Sequence, residues 1–148
     1  MANKRSVVVR GVPIVNEDGV ASAQVKPGYL VDGVTSIAHQ AVAGANTPRA
    51  FALERSELGT GIDNTFQGQG TGSAFYASGD TVKVATCAPG DEVTAFLASG
   101  YGVAVNGKVQ AHGDGTLRPL EGSNTPLGVS LDAVTGGSTV PAIRVRIM

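Results

Sequence analysis

The residues before the final methionine, "AIRVRI", set apolar Ile143, Val145 and Ile147 in alternation with Arg144 and Arg146. A period of two sends successive side chains to opposite faces of a strand, so this pattern predicts a half-buried strand with its arginines in water. "DTVKVATC" repeats the device, with Val82 and Val84 inward and Thr81 and Lys83 outward. "DEVTAFLA" sets Val93, Ala95 and Leu97 against Glu92, Thr94 and Phe96. "SVVVRGVPIV" and "PRAFALER" are further candidates, rich in residues that suit a pleated, half-covered surface. The expected core is Val82, Val84, Val93, Leu97, Ile143, Val145 and Ile147. A register slip of one residue would turn every arginine of the last strand inward.

Between these runs lies turn chemistry. "KPGY" and "APGD" place proline where φ is fixed near −65° and glycine where φ must be positive, as a type II turn requires. "VNGK" carries Asn106-Gly107, a two-residue hairpin signal between Val103–Val105 and Val109. "HGDGTL" and "VTGGST" mark two more reversals. Helix is scarce: "TSIAHQAVAG" reads first as an irregular or extended passage, with one short helix as the alternative, since Ile37, Ala38, Ala41 and Val42 fall at helical spacing and Gly44 could cap its end. Strands at short spacing joined by such turns predict an all-β chain, a small β-barrel or sandwich with long Gly-rich loops and an extended N-terminal segment.

Composition sharpens this. A chain of 148 residues with 42% hydrophobic content is expected to form one domain over 1–148 and to hold a core without disulfides or metal. Charged residues make up 16%, below the usual ~25%, and glycine accounts for 21 positions, about twice the usual share. Much of the surface is therefore uncharged, which suits contact with other protein. A net charge of −1 argues against a nucleic-acid partner, whose phosphates call for a basic face. No apolar run approaches the length of a membrane span, and "SVVV" is too short for a signal-peptide core, so a cytosol-like compartment of synthesis is expected. Cys87, the single cysteine, excludes an internal disulfide and reads as a small buried residue.

The stretch from Leu58 to Asp80 carries glycines at 59, 61, 68, 70, 72 and 79, as nucleotide-cradling loops do. It has no lysine or arginine to meet a phosphate and no convincing helix after it, so neither phosphate-loop motif fits. The two histidines, His39 and His112, lie far apart; His112 could join Asp114 at a metal, but a solvated turn histidine fits better. No nucleophile elbow or histidine-rich motif supports a catalytic triad. The expectation is a protein without enzymatic activity or cofactor. Two segments then stand out as candidate protein contacts. One is Lys4, Arg5 and Arg10, a basic group with no acid before Glu17, within a possible arm over residues 1–16. The other is the Gly-rich loop over 59–79, where Phe66, Phe75 and Tyr76 offer apolar anchors and Gln67 and Gln69 offer hydrogen bonds.

In order along the chain, "PRAFALERSELGTGID", "YASGDTVKVATCAPGDEVTAFLASG", "GKVQAHGDGTLRPL", "PLGVSLDAV" and "IRVRIM" resemble the small head decoration (capsid cement) proteins of tailed bacteriophages. The resemblance covers Pro48 to Met148, with only "PGYLV" matching before it. It rests on the order and spacing of the segments, since each is mostly turn and strand. It implies a non-enzymatic virion component on the outer surface of the mature head, made in the bacterial cytoplasm. Its partners would be the major capsid protein and neighbouring copies of itself, often as trimers, with no nucleic acid and no membrane. The chain departs from that pattern at "NTFQGQGTGSAF", Asn64 to Phe75, which lengthens a loop and leaves the strand alternation intact. Another virion role, in a head fibre or tail tube, is the first alternative. A small carbohydrate-binding β module is the second, but no Trp, three Tyr and four Phe equip it poorly to stack sugars.

Overall fold

The computed structural model describes residues 7–44, 49–54 and 75–148, and every structural statement below concerns these. They form eleven strands and no helix. One sheet has the order β1-β7-β11-β10-β8-β9, built from β1 (Val8–Arg10), β7 (Glu92–Phe96), β8 (Lys108–Ala111), β9 (Leu117–Pro119), β10 (Gly128–Ser130) and β11 (Ala142–Ile147). The other has the order β3-β4-β2-β6-β5, built from β2 (Ile14–Ala21), β3 (Val31–Asp32), β4 (Ser36–His39), β5 (Ala50–Ala52) and β6 (Thr81–Thr86). The sheets do not close into a barrel; the fold is an all-β, sandwich-like one.

Alternation places the core as expected. Ile143 and Val145 are fully buried and Ile147 nearly so, while Arg144 and Arg146 stand about half exposed. Val82, Val84, Val93 and Leu97 are buried as well. The main core joins β7, β8 and β11 to Phe51 of the other sheet and to Leu30, which bridges to it. A second cluster gathers Ala50, Ala52, Val82, Val84, Ile37 and Tyr76. Strand β5 serves both: Phe51 turns to one core, and Ala50 and Ala52 turn to the other.

Four turns share one geometry. Lys26–Tyr29, Ala77–Asp80, Ala88–Asp91 and Ala98–Tyr101 are each closed by a bond from the fourth N–H to the first carbonyl. Their third residues, Gly28, Gly79, Gly90 and Gly100, have φ of 85°, 94°, 95° and 84°, the left-handed position of a type II turn. Both Pro-Gly turns are as the sequence predicts. In two of the four an aspartate adds a latch: Asp80 Oδ2 accepts from the Ala77 N–H at 2.8 Å, and Asp91 Oδ2 from the Ala88 N–H at 2.9 Å.

Two expectations are corrected. Thr94 and Phe96 do not face water; each is 1% exposed, and the Phe96 ring lies 5.3 Å from Tyr29. No hairpin is centred on Asn106-Gly107: the Gly107 N–H bonds to the Ala104 carbonyl, which centres the turn on Val105 and Asn106. Asn106 alone of the pair has positive φ, at 67°, where the type I′ turn that Asn-Gly favours needs it at both. Val103 pairs with Val134 instead, and β8 pairs with β9 and β10. The segment "TSIAHQAVAG" is extended through β4, in keeping with the extended reading of its sequence. Ile37 is buried beside Ala21, while Ala41 and Val42 are exposed where a helix would need them on its inner face.

Candidate protein-contact surface

The reactive side chains are occupied with structure. His39 stacks on Tyr29 with ring centres 4.7 Å apart, and its Nε2 accepts the Lys26 backbone N–H at 3.1 Å. That bond requires an unprotonated Nε2, and burial, helped by the Lys26 charge and opposed by Asp114, pushes His39 down to about 4. Burial, with Asp114 beside it, raises Tyr29 to about 12. The Lys26 ammonium lies 5.4 Å from the Tyr29 ring centre and 5.7 Å from that of Phe75. His112 is half-buried against the edge of Tyr101, and the Asp114 carboxylate accepts from the backbone N–H and hydroxyl of Thr116. Among the described residues no three metal-ligating side chains gather. Cys87 is buried, and burial with Asp91 nearby pushes its thiol up to about 12, far from a reactive thiolate.

Charges on the outer face of β11 are neutralised in pairs. The Arg144 guanidinium meets Asp132 at 2.7 Å, which raises its pKa, and Arg146 meets Glu92 at 3.1 Å. Beside the first pair lies an open groove of about 760 Å³. Val8, Val9 and Thr94 line it together with Val134, Ala142 and Arg144. Thr94 is 1% exposed, yet its hydroxyl oxygen has no hydrogen-bond partner.

The groove continues into an apolar ridge. Between β1 and the start of β2, four large apolar side chains face out: Val9, Val12, Ile14 and Val15, with Val12 93% and Ile14 76% exposed. Ile14 and Val15 are neighbours on a strand, so they point to opposite sides, and both reach solvent. The cause is topological. Along Ile14–Asn16, β2 pairs only with β6, because β4 joins it only at Val20 and Ala21.

The structure places the sequence-predicted contact residues unevenly. Lys4, Arg5, Phe66, Gln67 and Gln69 lie outside the described residues. Arg10 is exposed on β1 beside Glu92. Phe75 is 1% exposed, and with Tyr76, whose hydroxyl donates to the Leu53 carbonyl at 2.8 Å, it packs inside this chain. The expectation of Phe75 as an outward anchor is thereby corrected. Sequence reasoning passed over Val9, Val12, Ile14 and Val15, which looked like one more buried strand. The available signal was that Ile14 and Val15 are adjacent and cannot share a face.

No protein-family profile matches the chain, and no curated protein matches its sequence. Among solved structures, the N base of the head fibre gp8.5 of bacteriophage phi29 matches with a TM-score of 0.55 and 16% identity. The match covers 93% of this chain and 93% of that one. The fold resembles that of a phage head-fibre base. At this identity the likeness concerns the arrangement of strands.

Proposed function

We propose that this chain is a structural protein of a bacteriophage head, that it works without catalysis, and that it sits on the outer surface of the capsid as a decoration protein. The observation that carries the reading is the fold-wide likeness to a phage head-fibre base. The ordered segments that resemble capsid cement proteins support it. So does a surface with paired charges and an exposed apolar ridge. In this role the protein holds capsid subunits together by adding contacts across the lattice. Binding only the intact lattice would stabilise it by RT ln(1 + [L]/Kd), about 2.7 kcal/mol per site at a hundredfold excess.

The test is to add purified protein to undecorated mature heads and follow the temperature at which they release DNA. A rise on saturation supports the decoration role, and an unchanged release temperature removes the stabilising part of it. The same structural likeness favours a second reading, the base of a head fibre. Copy number in purified virions separates the two: near one per capsid subunit for decoration, far fewer for a fibre.

A further inference from the structure

We infer that a cleft on the β2–β6–β5 sheet receives an arginine side chain of a partner protein. The cleft holds about 220 Å³. That is short of the roughly 300–1,000 Å³ of a small-molecule pocket and suits one long side chain. Its floor is apolar, made by Ile37, Ala50 and Val84, and Asn16 and the exposed Thr86 line it too. Register shows which face this is. Ile14 pairs with Thr86 and Asn16 with Val84, and cross-strand partners share a face. Ile14 therefore belongs to the face of the cleft, where it stays 76% exposed, while Val15, paired with Ala85, belongs to the other.

Charge names the occupant. Asp32 lines the cleft and is exposed, with Oδ1 accepting the Gly33 N–H at 2.7 Å. Asp18 is exposed in the bulge between Asn16 and Gly19, two further lining residues. Among the described residues neither carboxylate meets a cation, whereas Glu17, Glu92, Glu121 and Asp132 each pair with a lysine or arginine. Two unpaired carboxylates beside an apolar floor suit a side chain that is apolar along its stem and cationic at its tip. Arginine fits better than lysine. Its guanidinium is planar and weakly hydrated, and its five donors can be shared among the oxygens of Asp32, Asn16 and Thr86. The site can be tested without a capsid, so its failure would leave the decoration reading standing.

The experiment titrates the isotope-labelled full chain with a capped Gly-Arg-Gly peptide and follows backbone amide shifts. Two control peptides carry citrulline, the uncharged isostere, or lysine in place of the arginine. The arginine peptide is expected to move the amides of Asn16, Ile37 and Val84 saturably, with a dissociation constant on the order of 1–10 mM, and the citrulline peptide to leave them in place. Asp32→Asn should weaken binding by about two- to fivefold, as loss of an exposed ion pair does, and it keeps an oxygen for the Gly33 N–H. Adding Asp18→Asn should weaken it further and flatten its salt dependence. Thr86→Phe, at an exposed strand position, should fill the cleft and abolish binding, with thermal melting as the control for folding. Absent shifts, or equal shifts with citrulline, would overturn the proposal. So would a lysine peptide that binds as tightly, or arginine binding indifferent to both Asp32→Asn and Thr86→Phe.

Discussion

Strands β11 and β2 use the same aliphatic residues and put them to opposite ends. In β11 the alternation Ile143, Val145, Ile147 goes inward, and the arginines between them go out. In β2 the outward residues include Ile14, Val15 and Val20, while the buried ones are Gly19 and Ala21. The reason is room. A Cβ on Gly19 would lie 2.5 Å from Cγ1 of Ile37, so the inner face of β2 is already filled by a side chain from β4. The difference teaches that hydrophobicity alone does not assign a residue to the core. Registry with neighbouring strands does, and here it leaves a run of valine and isoleucine in water.

Truncation should break the symmetry between the two strands most sharply. Ile143→Ala opens a cavity in the main core and should cost about 2–5 kcal/mol in urea unfolding. Ile14→Ala, measured on the unassociated chain, should stay within about 0.5 kcal/mol. A comparable loss at both sites would mean that the ridge packs within its own chain. The next effect concerns the filled inner face. Gly19→Ala should destabilise by about 1–3 kcal/mol through overpacking on Ile37. A double-mutant cycle with Ile37→Ala should return clear coupling between the two positions.

A third test asks the same question of a polar interior group. His39 is held neutral in the fold, at about 4 against an ordinary 6.5. The unfolded chain therefore takes up a proton first as pH falls. The stability is fully present above pH 6.5 and is lost between 6.5 and 4, by about 1–2 kcal/mol at pH 5. Comparing urea midpoints of the wild type and His39→Gln across this range isolates the contribution; parallel curves would refute it. The smallest effect belongs to the outer face of β11. Arg146→Gln removes a half-exposed ion pair and should change stability by no more than about 0.5–1 kcal/mol, less in high salt.

Legibility in the sequence followed physical range. The type II turns at 26–29 and 88–91 were readable because proline and glycine fix φ locally. Those at 77–80 and 98–101 carry serine in proline's place and passed unnoticed. The buried face of β11 was readable because its alternation is strict. The burial of Thr94 and Phe96 was not, since it depends on what covers the far face of β7 from distant parts of the chain. The candidate contact surface was the least legible part. Phe75 looked like an anchor beside glycine and glutamine, but the packing of the residues that follow draws it inside. Arg10 is exposed on β1, and nothing local marked Val9 and Val12 beside it as exposed too.

The single buried thiol gives the molecule an internal clock. Cys87 sits at the end of β6, its amide bonded to the Arg49 carbonyl, and is 6% exposed. A maleimide should reach it only when β5 and β6 separate. When reclosing is faster than capture, labelling reports the free energy of that opening; when capture is faster, it reports the opening rate. One chain thus carries a reporter that needs no engineering, and its labelling rate in the presence and absence of a binding partner would measure how firmly assembly keeps the sheet shut.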